Sequence, residues 1–163
     1  MRWCLILLVI PVMVYGGILT VLEHYLPEAR AQTIYDALIE EHEQCSEVDP
    51  VIVLAIMGTE TGFKNVIGDN GKAVGYMQLH REAVWYVNNF YPDVKKFYKK
   101  IKKHDDLIKF PVMQIRIGYR YLCLLTKNCG GNVLCAIERY NGSKEYVGRV
   151  LEWMQRIWKL VVK

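Results

Sequence analysis

The chain contains no Cys-x-x-Cys pair and no His-Glu-x-x-His segment in its 163 residues. Two common zinc-binding spacings are therefore missing, and no metal or other cofactor is expected. Zinc-finger patterns, RNA-recognition signatures and long basic arms are also lacking, so nucleic acid is not an expected partner. There is no internal repeat or low-complexity stretch, which argues against a solenoid or a second domain. Strand signals are scarce beyond the first thirty residues. Neither charge dominates: 21 Lys+Arg against 17 Asp+Glu leave a net charge of +4, a weak pull toward anionic partners.

What is present suits one packed domain, expected to be a monomer. Hydrophobic residues make up 52% and charged residues 23%, enough apolar surface for a core. Trp3 to Leu22 is almost wholly apolar behind Arg2, and about 20 such residues can span a bilayer. Glu23 and His24 end the run. Ala29-Arg30-Ala31 then offers a small-x-small site for a signal peptidase before Gln32. The length of the run favours an inner-membrane anchor and the Ala-x-Ala site favours cleavage; both remain open. A buried core helix is the third reading, poorly served by Pro11, Gly16 and Gly17. Either export reading divides the chain into a targeting segment, 1–31, and one domain, 32–163, in the periplasm or cell envelope. Cys45, Cys123, Cys129 and Cys135 then permit two disulfides. Cys129 and Cys135 flank Gly130-Gly131 and form the expected pair, against the alternative of small buried apolar residues.

The periodicity is helical. Gln32 to Cys45 carries Ile34, Tyr35, Leu38 and Ile39 on one stripe. Glu40, Glu41, His42, Glu43 and Cys45 read as its solvated end. Asp49-Pro50 is a helix start, with Asp as cap and Pro at the first position. Val51 to Met57 is apolar without a break, so this helix should be buried on every side. Asn65 to Gly75 reads as a loop or small hairpin. Helices are expected over 81–91, 112–126 and 133–140, the last capped by Asn132. A closing helix carries Val147, Val150, Leu151, Met154, Trp158 and Val161 at three-and-four spacing. Lys95, Lys96, Lys99, Lys100, Lys102 and Lys103 form a basic run interleaved with Phe97, Tyr98 and Ile101. Most such runs are solvated faces; the functional alternative is attraction to anionic wall polymer or lipid head groups.

Glu60 stands out on its own. The buried helix delivers it among the small neighbours Thr59, Thr61 and Gly62. Partial burial raises a carboxyl pKa, and a proton held near neutral pH makes a general acid. A surface Glu at a helix end is the alternative. Gly75-Tyr76-Met77-Gln78 and Tyr140-Asn141-Gly142 each place a ring beside an amide. Rings stack on sugar faces and amides read hydroxyl and acetamido groups. Either motif alone reads as a turn with a core tyrosine.

Together these segments resemble the lysozyme-like catalytic domain of soluble lytic transglycosylases. Glu60-Thr61-Gly62-Phe63 resembles that family's Glu-Ser-x-Phe, and Gly71 to Leu79 its Gly-Ala-x-Gly-Leu-Met-Gln. Ala136 to Gly142 resembles Ala-Tyr-Asn-x-Gly, and Tyr146-Val147 with Val150 its closing Tyr-Val-x-x-Val. Gly118 and Tyr121-Leu122 fit the helix between. The segments run in family order over about residues 34–158. Departures are Thr61 for Ser, Tyr76 for Leu, a shortened loop at Asn141-Gly142 and the Lys-rich stretch near 95–109.

The resemblance implies a mostly α, lysozyme-like domain with a small loop or hairpin near 65–78. It implies cleavage of the β-1,4 bond between N-acetylmuramic acid and N-acetylglucosamine in peptidoglycan, with a 1,6-anhydro product. Glu60 would be the catalytic acid. Tyr140 would hold the Glu60 carboxyl or an acetamido group. Gln78 and Asn141 would bind N-acetyl groups, Tyr76 would stack on a ring, Met77 would line the substrate, and Thr61 would steady Glu60. A goose-type lysozyme is the first rival and needs a second carboxylate, for which Asp69 is the candidate. A non-catalytic wall-binding or secretion scaffold is the second, and a phage lysin the third.

Overall fold

The computed structural model describes residues 16–162. Residues 1–15, with most of the apolar run, lie outside the described residues, and with them most of the anchor or signal-peptide reading. Residues 16–25 are helical (α1), followed by α2 (Glu28–Gln44) and α3 (Pro50–Thr61). A small sheet follows, of β1 (Ile67–Gly68), β2 (Ala73–Val74) and β3 (Leu79–His80), with a 3₁₀ turn at Asp69–Gly71. Then come α4 (Arg81–Asn88), α5 (Pro92–Tyr98), a second 3₁₀ turn (His104–Lys109), α6 (Pro111–Asn128), α7 (Val133–Asn141) and α8 (Lys144–Val161).

α3 is the centre, as its composition demands. Asp49 accepts a 2.8 Å bond from the Val51 N–H and Pro50 opens the helix. Every residue from Ile52 to Gly58 is buried. α8 packs along α3, and Trp153 presses on Gly58, where a Cβ would come within 2.4 Å of the indole. The core stripe of α8 is Tyr146, Val150, Trp153 and Ile157, whereas Trp158 is 64% exposed and Leu151 40%. Of the expected stripe, Val150 is buried and Val147, Met154 and Val161 pack against the core, whereas Leu151 and Trp158 fall outside it. Spacing alone admits both stripes, and the large residues that fit α3 decide between them.

Packing crosses the boundary expected at residue 32. Ile18, Val21, Leu22 and Ala31 are fully buried. Tyr25 stacks on Phe63 with centroids 4.3 Å apart and meets Trp153 edge-on at 6.0 Å. Gly17 lies against Val161, the end of α8. Ala29-Arg30-Ala31 forms part of the first turns of α2. Among the described residues no helix is long and apolar enough to cross a membrane.

The end of α2 is not the solvated cluster its charges suggest. Glu41 is 3% exposed and takes two bonds from Arg120 of α6, at 2.7 and 2.8 Å. Arg120 also reaches Asp93 at 2.6 Å and lies over the Tyr91 ring. Burial works against the Arg120 charge, but the two carboxylates more than offset it and push its pKa up. His42 meets the Val48 carbonyl and the Tyr119 hydroxyl, both at 3.0 Å. Cys45 is bonded to Cys123, fastening α2 to α6, and Cys129 to Cys135. The first bridge joins residues 78 apart, worth about 4.5 kcal/mol on chain-entropy grounds.

Candidate active site

The sheet is short and antiparallel, pairing Ile67 with Val74, Gly68 with Ala73, Ala73 with His80 and Val74 with Leu79. Its β2–β3 turn, Gly75 to Gln78, is held by buried Gln114 of α6. The Gln114 carbonyl accepts from the Tyr76 N–H at 3.1 Å, and its amide donates to Asn65 and to the Leu107 carbonyl. Gly75 has φ +83, and a Cβ there would fall 2.0 Å from the Gln114 oxygen. Both facts require glycine. Gln78 itself adopts φ +45. That conformation folds its amide back onto the Val66 and Gly75 carbonyls at 3.1 and 2.9 Å.

Glu60 lies in the last turn of α3, just before the left-handed Gly62 ends the helix. Its Oε1 accepts a 2.6 Å hydrogen bond from the phenol of Tyr146 on α8, whose side chain is 1% exposed. Burial raises the Glu60 pKa; the Tyr146 bond and the nearby Arg149 and His80 charges lower it without cancelling the rise. Burial and the adjoining Glu60 charge push the Tyr146 phenol far up, so it stays a donor at every working pH. Arg149, one turn along α8, sits 5.3 Å from the Tyr146 ring centroid. The result is a carboxyl that favours its proton, aimed by a neutral donor at an opening.

That opening is a pocket of about 220 Å³ lined by Glu60, Asp69, Ala73, Gln78, His80, Tyr140 and Asn141. Asp69 is thus beside the acid, half-exposed, with His80 at 3.8 Å. Gln78 and Asn141 line the pocket. The Tyr140 ring lines it too, but its hydroxyl donates to the Met77 carbonyl at 2.9 Å, and the phenol that reaches Glu60 is Tyr146. Tyr76 is 4% exposed and Met77 fully buried, the latter against Gly118. Tyr76 lies beside Arg30 at the edge of a separate cavity of about 670 Å³. The expected stacking on a ring has no exposed face there, because the left-handed residues of the turn send Tyr76 toward α2. Thr61 donates to the Met57 and Tyr76 carbonyls at 3.2 and 3.1 Å. It pins the turn to α3, and no bond joins it to Glu60 among those described.

These residues fall inside a stretch that matches a known family: the profile of the transglycosylase SLT domain covers residues 37–156. The chain belongs to the transglycosylase SLT domain family. No curated protein matches the sequence. Among solved structures this SLT domain is similar to an inactive mutant of lytic transglycosylase Slt from Pseudomonas aeruginosa, with a TM-score of 0.55 and 18% identity. The match covers 85% of this chain and 27% of that one, so the chain spans about a quarter of the larger protein. At that identity the likeness shows the fold alone: mostly α and lysozyme-like, with few strands.

Sequence reasoning missed the roles of Tyr146, His80 and Arg149 in this SLT domain. Tyr146 was visible as a motif residue without a task. Its partner Glu60 is 86 positions away, beyond any local pattern. His80 directly follows Gln78-Leu79 and could have been taken with them.

Proposed function

We propose that the SLT domain cleaves the β-1,4 bond between N-acetylmuramic acid and N-acetylglucosamine in peptidoglycan as a lytic transglycosylase. The observation that carries this is Glu60, a carboxyl with raised pKa held by a neutral phenol at the edge of an open pocket. Protonated Glu60 gives its proton to the leaving glycosidic oxygen as the C1–O bond breaks. The substrate's own acetamido group stabilises the cation developing at C1. Glu60, now a carboxylate, takes the proton of the muramoyl 6-hydroxyl, and that oxygen closes on C1 to give the 1,6-anhydro sugar. One acid serves both steps. Tyr146 is a positioning residue that keeps the carboxyl pointed at the bond. Gln78 and Asn141 would meet N-acetyl groups, and the Tyr140 ring would face a sugar.

Asp69 favours a second reading, since a second carboxylate lining the same pocket is what an inverting hydrolase uses to activate water. Digestion of purified peptidoglycan by the full chain, with mass analysis of the muropeptides, separates the two. Anhydro ends are expected, and Glu60→Gln should produce none. Reducing ends would favour the lysozyme-type reaction and make Asp69→Asn the next variant. Wall binding without products would favour a scaffold.

A peptidoglycan substrate requires the protein to leave the cytoplasm, and the apolar residues near the N-terminus would serve as anchor or export signal. Fractionation with N-terminal sequencing tests this; recovery of intact chain in the cytosol would oppose it.

A further inference from the structure

The Glu60 pocket is the first of four depressions in series. The next shares Gln78, His80 and Tyr140 with it. A third, of about 340 Å³, is bounded by Lys72, His80, Arg81, Glu82 and His104. The fourth shares Arg81 and His104 and adds Trp85, Tyr98, Lys102 and Lys103. Shared linings at His80, then at Arg81 and His104, set these depressions side by side from Glu60 along α4 to the Lys-rich segment, and we read them as one trough.

The far half of the trough is basic. Lys72, Arg81, Lys102 and Lys103 line it against the single carboxylate of Glu82. None of the four makes an ion pair within the described residues. The nearby Asp106 carboxylate is engaged by Lys109 at 2.7 Å and by the Lys103 N–H at 3.2 Å. Trp85 is 54% exposed beside these cations.

The segment that bears Lys102 and Lys103 is fixed to the catalytic wall. His104 is buried; its Nε2 donates to the Leu79 carbonyl at 2.8 Å, since a carbonyl can only accept, and its Nδ1 meets the Tyr98 hydroxyl at 2.9 Å. Leu79 belongs to β3 and lies between Gln78 and His80, which both line the Glu60 pocket. The lysines therefore have a set position relative to the acid, which a merely solvated run does not need.

We propose that this basic trough receives the peptide stem of the same peptidoglycan strand whose glycan lies at Glu60. The inference rests on the reading of that pocket as the glycan site. An occupant of a branch that opens from the glycan cleft must be continuous with the glycan. The stem hangs from the muramoyl residue and carries several carboxylates, which Lys and Arg recognise. The half-exposed Trp85 offers a flat apolar surface for its methyl and methylene groups. A lipid surface asks instead for cations on an outward face, not around a recess.

The test measures binding and turnover by the full chain on two substrates: uncrosslinked glycan strands bearing stems, and the same strands after an amidase has removed them. Wild type should bind stem-bearing strands about fivefold more tightly or better, an advantage that shrinks as salt is raised. Lys102→Glu/Lys103→Glu should lose that advantage while binding stripped strands within about twofold of wild type. Lys102→Ala/Lys103→Ala, gentler on the fold, should lose a large part of it. Equal affinity of wild type for both strands, or an advantage that survives both variants, overturns the proposal. So does loss of binding to phosphatidylglycerol vesicles in the variants with the stem preference intact, which would give the trough to a membrane. A stem preference in binding without turnover of either strand would leave the trough assigned and overturn the enzymatic reading alone.

Discussion

Glu41 and Glu60 are carboxylates drawn into seams between helices, one between α2 and α6 and the other between α3 and α8. Glu41 is met by a guanidinium at 2.7 and 2.8 Å. Glu60 is met by a phenol at 2.6 Å. A guanidinium supplies the countercharge that a buried carboxylate needs, so the first seam holds an ion pair that fastens helices. A phenol supplies a hydrogen bond and no charge, so burial prevails and the second carboxyl keeps its proton to a higher pH. The chemistry of each acid is set by its partner's charge more than by its depth.

The two seams should break differently. The largest effect is expected from removing residues 1–31. That takes Ile18, Val21 and Leu22 from the core and Tyr25 from Phe63 and Trp153, beside the Glu60 seam. At roughly 1.5–3 kcal/mol for each large side chain, the loss rivals the whole stability of an ordinary domain. A chain starting at Gln32 should fail to give a cooperative melt by circular dichroism. A sharp transition near that of the full chain would show that α1 is dispensable. Next is Arg120→Met, which leaves Glu41 buried and unpaired and should cost about 3–5 kcal/mol by chemical denaturation. Adding Glu41→Leu should restore most of it. If Arg120→Met costs under about 1 kcal/mol, the contrast between the seams is not one of charge pairing.

The smallest effect separates the seams by sign. The folded pKa of Glu60 is raised, so wild type bears the cost of a buried charge at pH values above it. That cost is absent below the ordinary carboxylate pKa. Glu60→Gln should therefore raise the Tm at pH 8, with the gain vanishing by about pH 4. Glu41→Gln should lower the Tm at pH 8, because it weakens an ion pair.

What could be read from the sequence was local. Asp49-Pro50 and the unbroken apolar run announced α3, and with it the place of Glu60. The Gly-Asn-rich stretch announced the hairpin, and Gly130-Gly131 the turn closed by Cys129 and Cys135. What could not be read was non-local. Glu41 sits between Glu40 and Glu43, and nothing nearby shows that Arg120, 79 residues on, draws it inward. Tyr140 lies in a sugar-like motif and was the natural choice to hold Glu60. Tyr140 and Tyr146 are near-parallel neighbours, with centroids 6.4 Å apart, and only packing tells which hydroxyl turns to the acid. Tyr76 was misplaced for a related reason: a ring beside an amide in sequence does not say which way the ring points, and here a turn with positive φ at Gly75 and Gln78 sets it.

The central claim is that Glu60 acts as a proton donor whose pKa is raised by burial and restrained by Tyr146. The alkaline limb of kcat against pH, measured on peptidoglycan strands for wild type and Tyr146→Phe, tests it directly. In wild type the limb should lie above the ordinary glutamate range. Removing the phenol removes a bond that favours the carboxylate, so in Tyr146→Phe the limb should move to still higher pH, with kcat reduced by roughly 10–100-fold from loss of positioning. A limb at the ordinary carboxylate pH in wild type, or one that moves down in Tyr146→Phe, would contradict the account.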